Sequence, residues 1–445
     1  MNARARSRPA ANTEIGQVVD LSHEGRGIAH VDGKAIFIDD ALPDEQVEFR
    51  RIERHRNFDE ARLERVLVPS PDRVAPRCIH FGVCGGCVLQ HVSSERQLAF
   101  KERQLFDALE RIGRVAPRER LPPLQADTWH YRRRARLAAR WVPKKNKTVV
   151  GFRERSTTFI TDLRTCEVLT PQVAALIEPL SALLTALSVR DRVPQIEVAH
   201  AQTALALVVR VLSPLTEADR ALLLDFADEH RVELYVQPGG YESVAKLDGE
   251  PAPLAYRLPQ FDVSIAFQPT DFIQINAGLN ERMIERALDL LQPAADESVL
   301  DLFCGLGNFS LPLARRAGHV VGVEGESGLV ARARQNAQAN GIDNVEFFSA
   351  NLAAADLHTL PWARRRYVKV LLDPPRAGAI EALPVVAASG AKRVVYVSCH
   401  PGSLARDAGV LTRQHGFELL AAGVMDMFAH TAHVESIAVF ERTPR

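Results

Sequence analysis

S-V-L-D-L-F-C-G-L-G-N-F, residues 298 to 309, decides the fold. An apolar run ends near Asp301, a turn carries Gly305 and Gly307, and the chain then reads as a helix. Strand, glycine turn and helix in that order open a doubly wound parallel sheet. The same alternation continues downstream. H-V-V-G-V-E is a second strand ending in Glu324, and Asn340-Gly341 closes the helix after it. N-V-E-F-F is a third strand with Asn351 just beyond, and Y-V-K-V-L-L-D-P-P-R (367 to 376) is a fourth ending at Asp373. Side chains at the carboxyl ends of such strands face the ligand crevice.

An acid about 20 residues after the glycine turn suits paired hydrogen bonds to ribose hydroxyls, which gives Glu324 its role. The turn lacks the third glycine of a dinucleotide fingerprint, and no phosphate-cradling lysine follows. That pattern points to S-adenosylmethionine rather than to NAD or a nucleotide phosphate. Asn351 stands where an adenine amino group can be read.

A fifth buried strand, Val394 to Val397, leads into V-Y-V-S-C-H-P-G (395 to 402) and delivers Cys399 to the ligand edge. A cysteine there is a candidate nucleophile if its thiolate is favoured, and a helix starting near Pro401 or Gly402 would favour it through its dipole. Taken alone, Cys399 reads more simply as a small buried hydrophobe. In M-F-A-H-T-A-H-V-E-S-I-A-V-F (427 to 440), Glu435 opens an apolar terminal strand and is a candidate general base with a raised pKa. Its plain alternative is a solvent-facing strand residue.

Composition sets limits. The 445 residues predict two to four domains, and 46% hydrophobic with 25% charged residues is ordinary for a globular chain. Lys plus Arg equals Asp plus Glu at 55 each, so any polyanion binding must come from local asymmetry. No apolar run reaches membrane-span length, and the cationic N-terminus lacks a signal-peptide core, which places the expectation in the cytoplasm. Six cysteines in a chain this long do not make a disulfide scaffold.

Upstream, residues 1 to 11 read as a basic arm. From Glu14 to Val68 short strands separated by turns, with an Asp32-Gly33 hairpin signal, predict a five-strand barrel of the OB type. Its glycine placement resembles a TRAM domain, an RNA-binding module of RNA-modifying enzymes. Pro69, Pro71 and Pro76 mark a linker. Then C-I-H-F-G-V-C-G-G-C (78 to 87) sets Cys78, Cys84 and Cys87 at Cys-x5-Cys-x2-Cys spacing among glycines, most of a four-ligand site. Cys166 is the spare thiol. Spacing leaves zinc and an iron–sulfur cluster both open. Residues 93 to 113 read as an amphipathic helix capped by Ser93 or Ser94. Trp129 to Lys147 has eight Lys or Arg, no acid, and interleaved Trp129, Tyr131 and Trp141. Cations with stacking aromatics suit single-stranded RNA, against the plainer reading of a solvated face. Residues 174 to 258 complete a central α+β domain with no visible chemistry.

Together the cysteine knot, D-F-I-Q-I-N (271 to 276), D-L-F-C-G-L-G-N-F, L-D-P-P-R, V-S-C-H-P and H-V-E-S resemble the RNA 5-methyluridine methyltransferases over nearly the whole chain. Having both a barrel and a cysteine knot resembles the branch acting on 23S ribosomal RNA. The resemblance implies a multidomain α/β protein: a TRAM barrel at 8–70, a central domain with a cluster loop and basic RNA-binding segment at 71–262, and a Rossmann-like class I methyltransferase domain at 263–445. It implies a [4Fe-4S] cluster on Cys78, Cys84, Cys87 and Cys166. S-adenosylmethionine contacts fall on Gln274, Phe303, Asn308, Glu324, Asn351 and Asp373, the nucleophile on Cys399 and the base on Glu435. The partner would be a flipped or loop uridine of 23S ribosomal RNA, with no membrane and no obligate protein partner. His400 and Ala429 depart from the family's usual S-C-N-P and M-F-P-H-T. Three alternatives stand beside this: a transfer RNA or other ribosomal uridine as substrate, a non-catalytic RNA chaperone, and a radical S-adenosylmethionine enzyme. The last fits poorly, because its cluster spacing and barrel fold differ.

Overall fold

The structure, a computed structural model, describes residues 13–442. The expected basic arm and the first residues of the 8–70 segment lie outside that range. The chain forms two compact units. One runs up to Lys101 and includes His430–His433; the other holds Glu102–Ala429 and the chain from Val434 onward.

The first unit is built on a closed barrel of β1 (Glu14–Leu21), β2 (Gly27–Val31), β3 (Lys34–Asp39), β4 (Gln46–Arg54) and β5 (Phe58–Val68), in spatial order β1-β2-β3-β5-β4. Asp32 and Gly33 both take positive φ, 51° and 77°. That is the turn whose twist matches flanking strands, so the β2–β3 register is fixed locally. Alternate residues fill the interior: Val18, Ala29, Ile36, Ile38, Val47, Phe49 and Ala61. Full burial of such a side chain contributes about 1.5–3 kcal/mol. The expected linker is pinned rather than loose. Buried Glu45 accepts from the Leu42 and Ser70 amides and from the Arg73 guanidinium at 2.5 and 2.8 Å.

α1 (Ser94–Ala108) follows, and the Ser93 hydroxyl accepts from the Arg96 amide at its start. It ends in a π-turn, Leu109–Gly113, closed by Arg114 in the left-handed region. From Glu102 on the helix belongs to the second unit, where Leu105, Phe106 and Leu109 pack into the same core as strand residues Leu300 and Leu302.

The second unit contains two large sheets and a hairpin. After the short β6 (Glu119–Arg120), the central sheet comprises β7 (Arg134–Val142), β8 (Lys147–Gly151), β9 (Gln195–His200), β10 (Leu205–Arg210), β11 (Glu233–Gln237) and β12 (Ala245–Lys246), ordered β12-β11-β10-β9-β7-β8. α2 (Pro171–Ala175), α3 (Ile177–Ala186) and α4 (Glu217–His230) accompany it. β13 (Leu254–Leu258) and β14 (Val263–Phe267) form a hairpin. α5 (Ala277–Leu291) then leads to the second sheet: β15 (Ser298–Leu302), α6 (Ser310–Ala314), β16 (His319–Glu324), α7 (Ser327–Ala339), β17 (Val345–Ser349), β18 (Lys369–Leu372), α8 (Leu383–Ala388), β19 (Arg393–Ser398), α9 (Pro401–His415), β20 (Phe417–Met425) and β21 (Glu435–Arg442). Its order is β17-β16-β15-β18-β19-β21-β20-β6, with β15 to β19 parallel and β21 antiparallel to both neighbours. The chain winds outward from β15 to β17 and then restarts at β18 on the other side. The crevice between β15 and β18 is therefore the switch point where ligands bind in this topology.

Alternation along the strands sorts two cores onto the two faces. Val299, Val320, Leu371, Val395 and Val397 face one. Leu300, Val321, Leu372, Val394 and Tyr396 face the other. The first core also takes in Val208, Tyr235, Leu254 and Ile265, so the central sheet, the hairpin and the catalytic sheet share packing. The sequence-expected boundary at 262 falls in the β13–β14 turn. Among the described residues no helix is long and apolar enough to cross a membrane.

Candidate active site

A cavity of about 500 Å³ opens at the carboxyl ends of β15, β16, β18 and β19. Six of the expected cofactor and catalytic residues outside the cysteine knot can be traced to strand ends: Phe303 and Asn308 after β15, Glu324 ending β16, Asp373 after β18, Cys399 after β19, and Glu435 opening β21. Gln274 joins them from the loop before α5. Asn351 does not line the cavity. It is exposed two residues past β17, and its carbonyl accepts from the Ala353 amide, as asparagine does in a tight turn.

One strained residue and two glycines shape the floor. Phe303 has φ 66°, unusual for a residue with a side chain, while Gly305 and Gly307 sit at 54° and 90°. The Phe303 and Cys304 amides both donate to the Val323 carbonyl, which ties the turn to β16. The Gly305 amide then donates to Glu324 at 3.1 Å, and the Gly325 and Glu326 amides hold its other oxygen. The carboxylate is thus fixed by backbone donors and keeps acceptor capacity for hydroxyls. This, with a mostly apolar lining and open space at Gly305, fits a nucleoside-bearing cofactor such as S-adenosylmethionine. Asp301, the strand-end acid of the motif, is buried below the floor instead, bonded by the Ser310 hydroxyl at 2.5 Å and pushed up to about 8 by desolvation. Gly322 lets Phe347 and Ser310 close over it, since a Cβ there would lie 2.6 Å from the Phe347 ring.

Strand register brings the two catalytic candidates together. β19 and β21 pair antiparallel with Ser398 opposite Ser436, and the Ser436 hydroxyl donates to the Ser398 carbonyl at 3.1 Å. Continuing that register one residue sets Cys399 opposite Glu435. Glu435 is buried, not solvent-facing, and desolvation followed by Asp373 raises it well above the usual carboxylate range. Asp373 is pushed up to about 7 by desolvation.

The thiol runs against expectation. Helix α9 does start at Pro401, yet Cys399 is raised to about 11, first by desolvation and then by Glu435 and Asp373, with Arg376 pulling the other way. Burial and two acids outweigh a helix end whose amides are already engaged: His400 caps α9 by accepting the Ser403 amide on Nδ1 at 3.1 Å. That also accounts for a histidine at this position, because an asparagine side chain would accept the same bond. Behind the site, Asp407 accepts from Tyr396, the Ala379 amide and Arg406, fixing the 376–379 loop against α9.

Tyr256 is a lining residue outside the motifs. Tyr256, from a stretch expected to hold no chemistry, donates to the Asn308 carbonyl at 2.8 Å, and Asn280 and Asn308 exchange amide bonds. Phe272 lines the cavity while 68% exposed, and Arg376 is its one lining cation among the described residues.

The basic segment at 129–147 is largely consumed by the fold. Arg133 is buried, donating to the Gln274 carbonyl and lying 4.6 Å over the Tyr256 ring. Arg134 donates to Pro269 and Thr270, Arg136 to Glu197, and Lys145 and Lys147 to Asp162. Tyr131 is buried and Trp141 stacks under Arg190. The counting of like charges missed Glu197 and Asp162, which arrive from outside the segment. Its arginines grip the cavity wall, and Arg140 and Lys144 remain exposed.

No disulfide joins any of the six cysteines. Cys78, Cys84 and Cys87 share one loop of the first unit, where Gly82 takes φ 86° and the Gly86 amide donates to the Cys84 sulfur at 3.4 Å. Cys166 is buried in the second unit.

Residues 94–443 match the family described as tRNA (Uracil-5-)-methyltransferase. A protein of Stenotrophomonas maltophilia named 23S rRNA (uracil(1939)-C(5))-methyltransferase RlmD is 53% identical over 99% of this chain and 100% of its own. The protein of that name from Xylella fastidiosa is 54% identical over 96% of this chain and 97% of its own. The crystal structure of a Pyrococcus abyssi tRNA (uracil-54, C5)-methyltransferase with S-adenosyl-L-homocysteine has a TM-score of 0.74 and 23% identity, covering 96% of this chain and 99% of that one.

Proposed function

Because the chain belongs to the tRNA (uracil-5-)-methyltransferase family, we propose that it methylates C5 of one uridine in 23S ribosomal RNA, the position named in its RlmD relatives. The observation that carries this reading is that Cys399 and Glu435, carried to one edge by the paired β19 and β21, line the same cavity as Glu324.

Uracil C5 is a poor nucleophile. Adding the Cys399 thiolate to C6 makes the ring an enolate that is nucleophilic at C5. Glu324 would hold the ribose of S-adenosylmethionine and Gln274, Phe303 and Asn308 would line its site; when bound it supplies the electrophilic methyl group to C5 and departs as S-adenosylhomocysteine. Glu435 then takes the C5 proton, and the thiolate leaves as the aromatic ring re-forms. The Cys399 thiol gives up its proton before attack, and Glu435 takes the C5 proton in its ionised form. Burial holds Glu435 well above the usual carboxylate range, which makes that ionised form a strong base. Asp373, near 7, is the lining carboxyl whose charge changes in the physiological range. Both ring faces must be reachable, so the uridine is unstacked.

Cys78, Cys84, Cys87 and Cys166 are the set that would hold a [4Fe-4S] cluster. The glycine-wrapped loop and the amide donated to the Cys84 sulfur support sulfur ligation. A cluster there would act as a structural clip, since the transfer needs no electron. The barrel would serve as a TRAM module for RNA.

The test is anaerobically purified protein incubated with S-adenosylmethionine and 23S RNA containing 5-fluorouridine. Fluorine at C5 blocks proton removal, so an adduct joining Cys399 to one large-subunit uridine is expected by mass spectrometry. An adduct on transfer RNA would change the substrate. No adduct with any RNA would remove Cys399 from the chemistry.

A further inference from the structure

Beyond β8 the chain makes an excursion, residues 152–161, that the mechanism leaves unused. It is a built hairpin. Arg153 and Ile160 form a bridge, the Glu154 amide donates to the Phe159 carbonyl at 3.0 Å, and the Thr161 amide donates to Phe152 at 2.9 Å. At the tip Thr157 donates to Glu154 and accepts from the Phe159 amide. At the base, Gly151 permits a close approach, since a Cβ there would lie 2.1 Å from the Thr161 carbonyl oxygen.

This ordered hairpin presents Phe159 at 61% exposure. Folding gives no reason to fix a phenyl ring in water. The hairpin also leaves β8 toward the end of β7 that holds the cavity wall. Phe152 lies 5.9 Å from the Arg132 guanidinium, Arg132 bridges to Asn276, and Arg133 bonds the Gln274 and Ile275 carbonyls. Gln274 and the exposed Phe272 line the cavity itself. An exposed aromatic ring held on a built hairpin, sprung from the rim of a site that takes a flipped nucleotide, suits a stacking platform for an unpaired base.

We propose that Phe159 stacks an unpaired base of the substrate RNA outside the catalytic cavity. This rests on the RNA methyltransferase reading above. The experiment uses the full-length holoprotein and a 23S RNA fragment bearing the target uridine. Phe159→Ala should raise the RNA KM about tenfold, with kcat, S-adenosylmethionine affinity and Tm unchanged, and Phe159→Trp should restore it. Abasic substitution along the unpaired nucleotides should find one position, not the target, where the difference between wild type and Phe159→Ala vanishes. Wild-type turnover with no such coupled position, or an unchanged KM in Phe159→Ala, overturns the platform. Failure of the wild type to methylate any RNA would overturn the underlying reading instead.

Discussion

Replacing Glu435 by Gln should make Cys399 more reactive and the enzyme inactive. The side chains are nearly isosteric, so the β19–β21 register and the Ser436–Ser398 bond should survive. Cys399 is held at about 11 by desolvation first and Glu435 second, against a reference of 9.0. Since desolvation is the larger part, removing the carboxylate should lower the alkylation midpoint without bringing it to the free value of about 8.5. Well below the midpoint, the thiolate fraction should rise by the same factor as the acid constant. Iodoacetamide labelling of the Cys399 peptide, followed by mass spectrometry across pH, measures this without RNA or cofactor. Turnover should move the other way. Loss of a positioned base costs about 10²–10⁴-fold, and the Cys399–C6 adduct should accumulate on ordinary uridine RNA. An unchanged or higher midpoint would mean that Glu435 does not face the thiol. A lower midpoint with normal turnover would mean that it faces the thiol but is not the base.

Other outcomes follow from the same geometry. Asp373 and Asp301 have folded values of about 7 and 8. Each ionises far lower in the unfolded chain, so the ligand-free protein should lose stability as pH rises from about 4 to about 8. Calorimetry should show Tm falling over that range, with a shallower fall in Asp373→Asn; a flat profile would refute the buried-acid account. Asp407→Ala strands the buried Tyr396 hydroxyl and frees the 376–379 loop. It should cost about 3 kcal/mol in chemical denaturation and weaken substrate binding. Gly322→Ala should cost about 1–3 kcal/mol and lower cofactor affinity by calorimetric titration, because Phe347 must shift off Ser310. Cys84→Ser should remove any cluster absorbance and lower Tm while leaving S-adenosylmethionine affinity unchanged.

The strand ends were legible in the sequence because each closes an apolar run with a polar residue, and topology forces such ends into one crevice. Thus Glu324, Asp373 and Cys399 could be named from their positions alone. Asn351 obeyed the same rule and still missed the cavity, since two residues of loop past β17 let it turn back on its own backbone. Asp301 shows the opposite failure: period two directs it below the floor, into the Ser310 contact. Tyr256 and the arginines of 132–134 act through partners more than a hundred residues away in most cases, which no local pattern carries. The Cys399 thiol is the most instructive case. A helix start beside a cysteine suggests a stabilised thiolate, but the sign is set by burial and by two acids from β18 and β21, visible once the strands are in register. Burial therefore shifts the nucleophile, the base and Asp373 in the same direction, toward their uncharged forms.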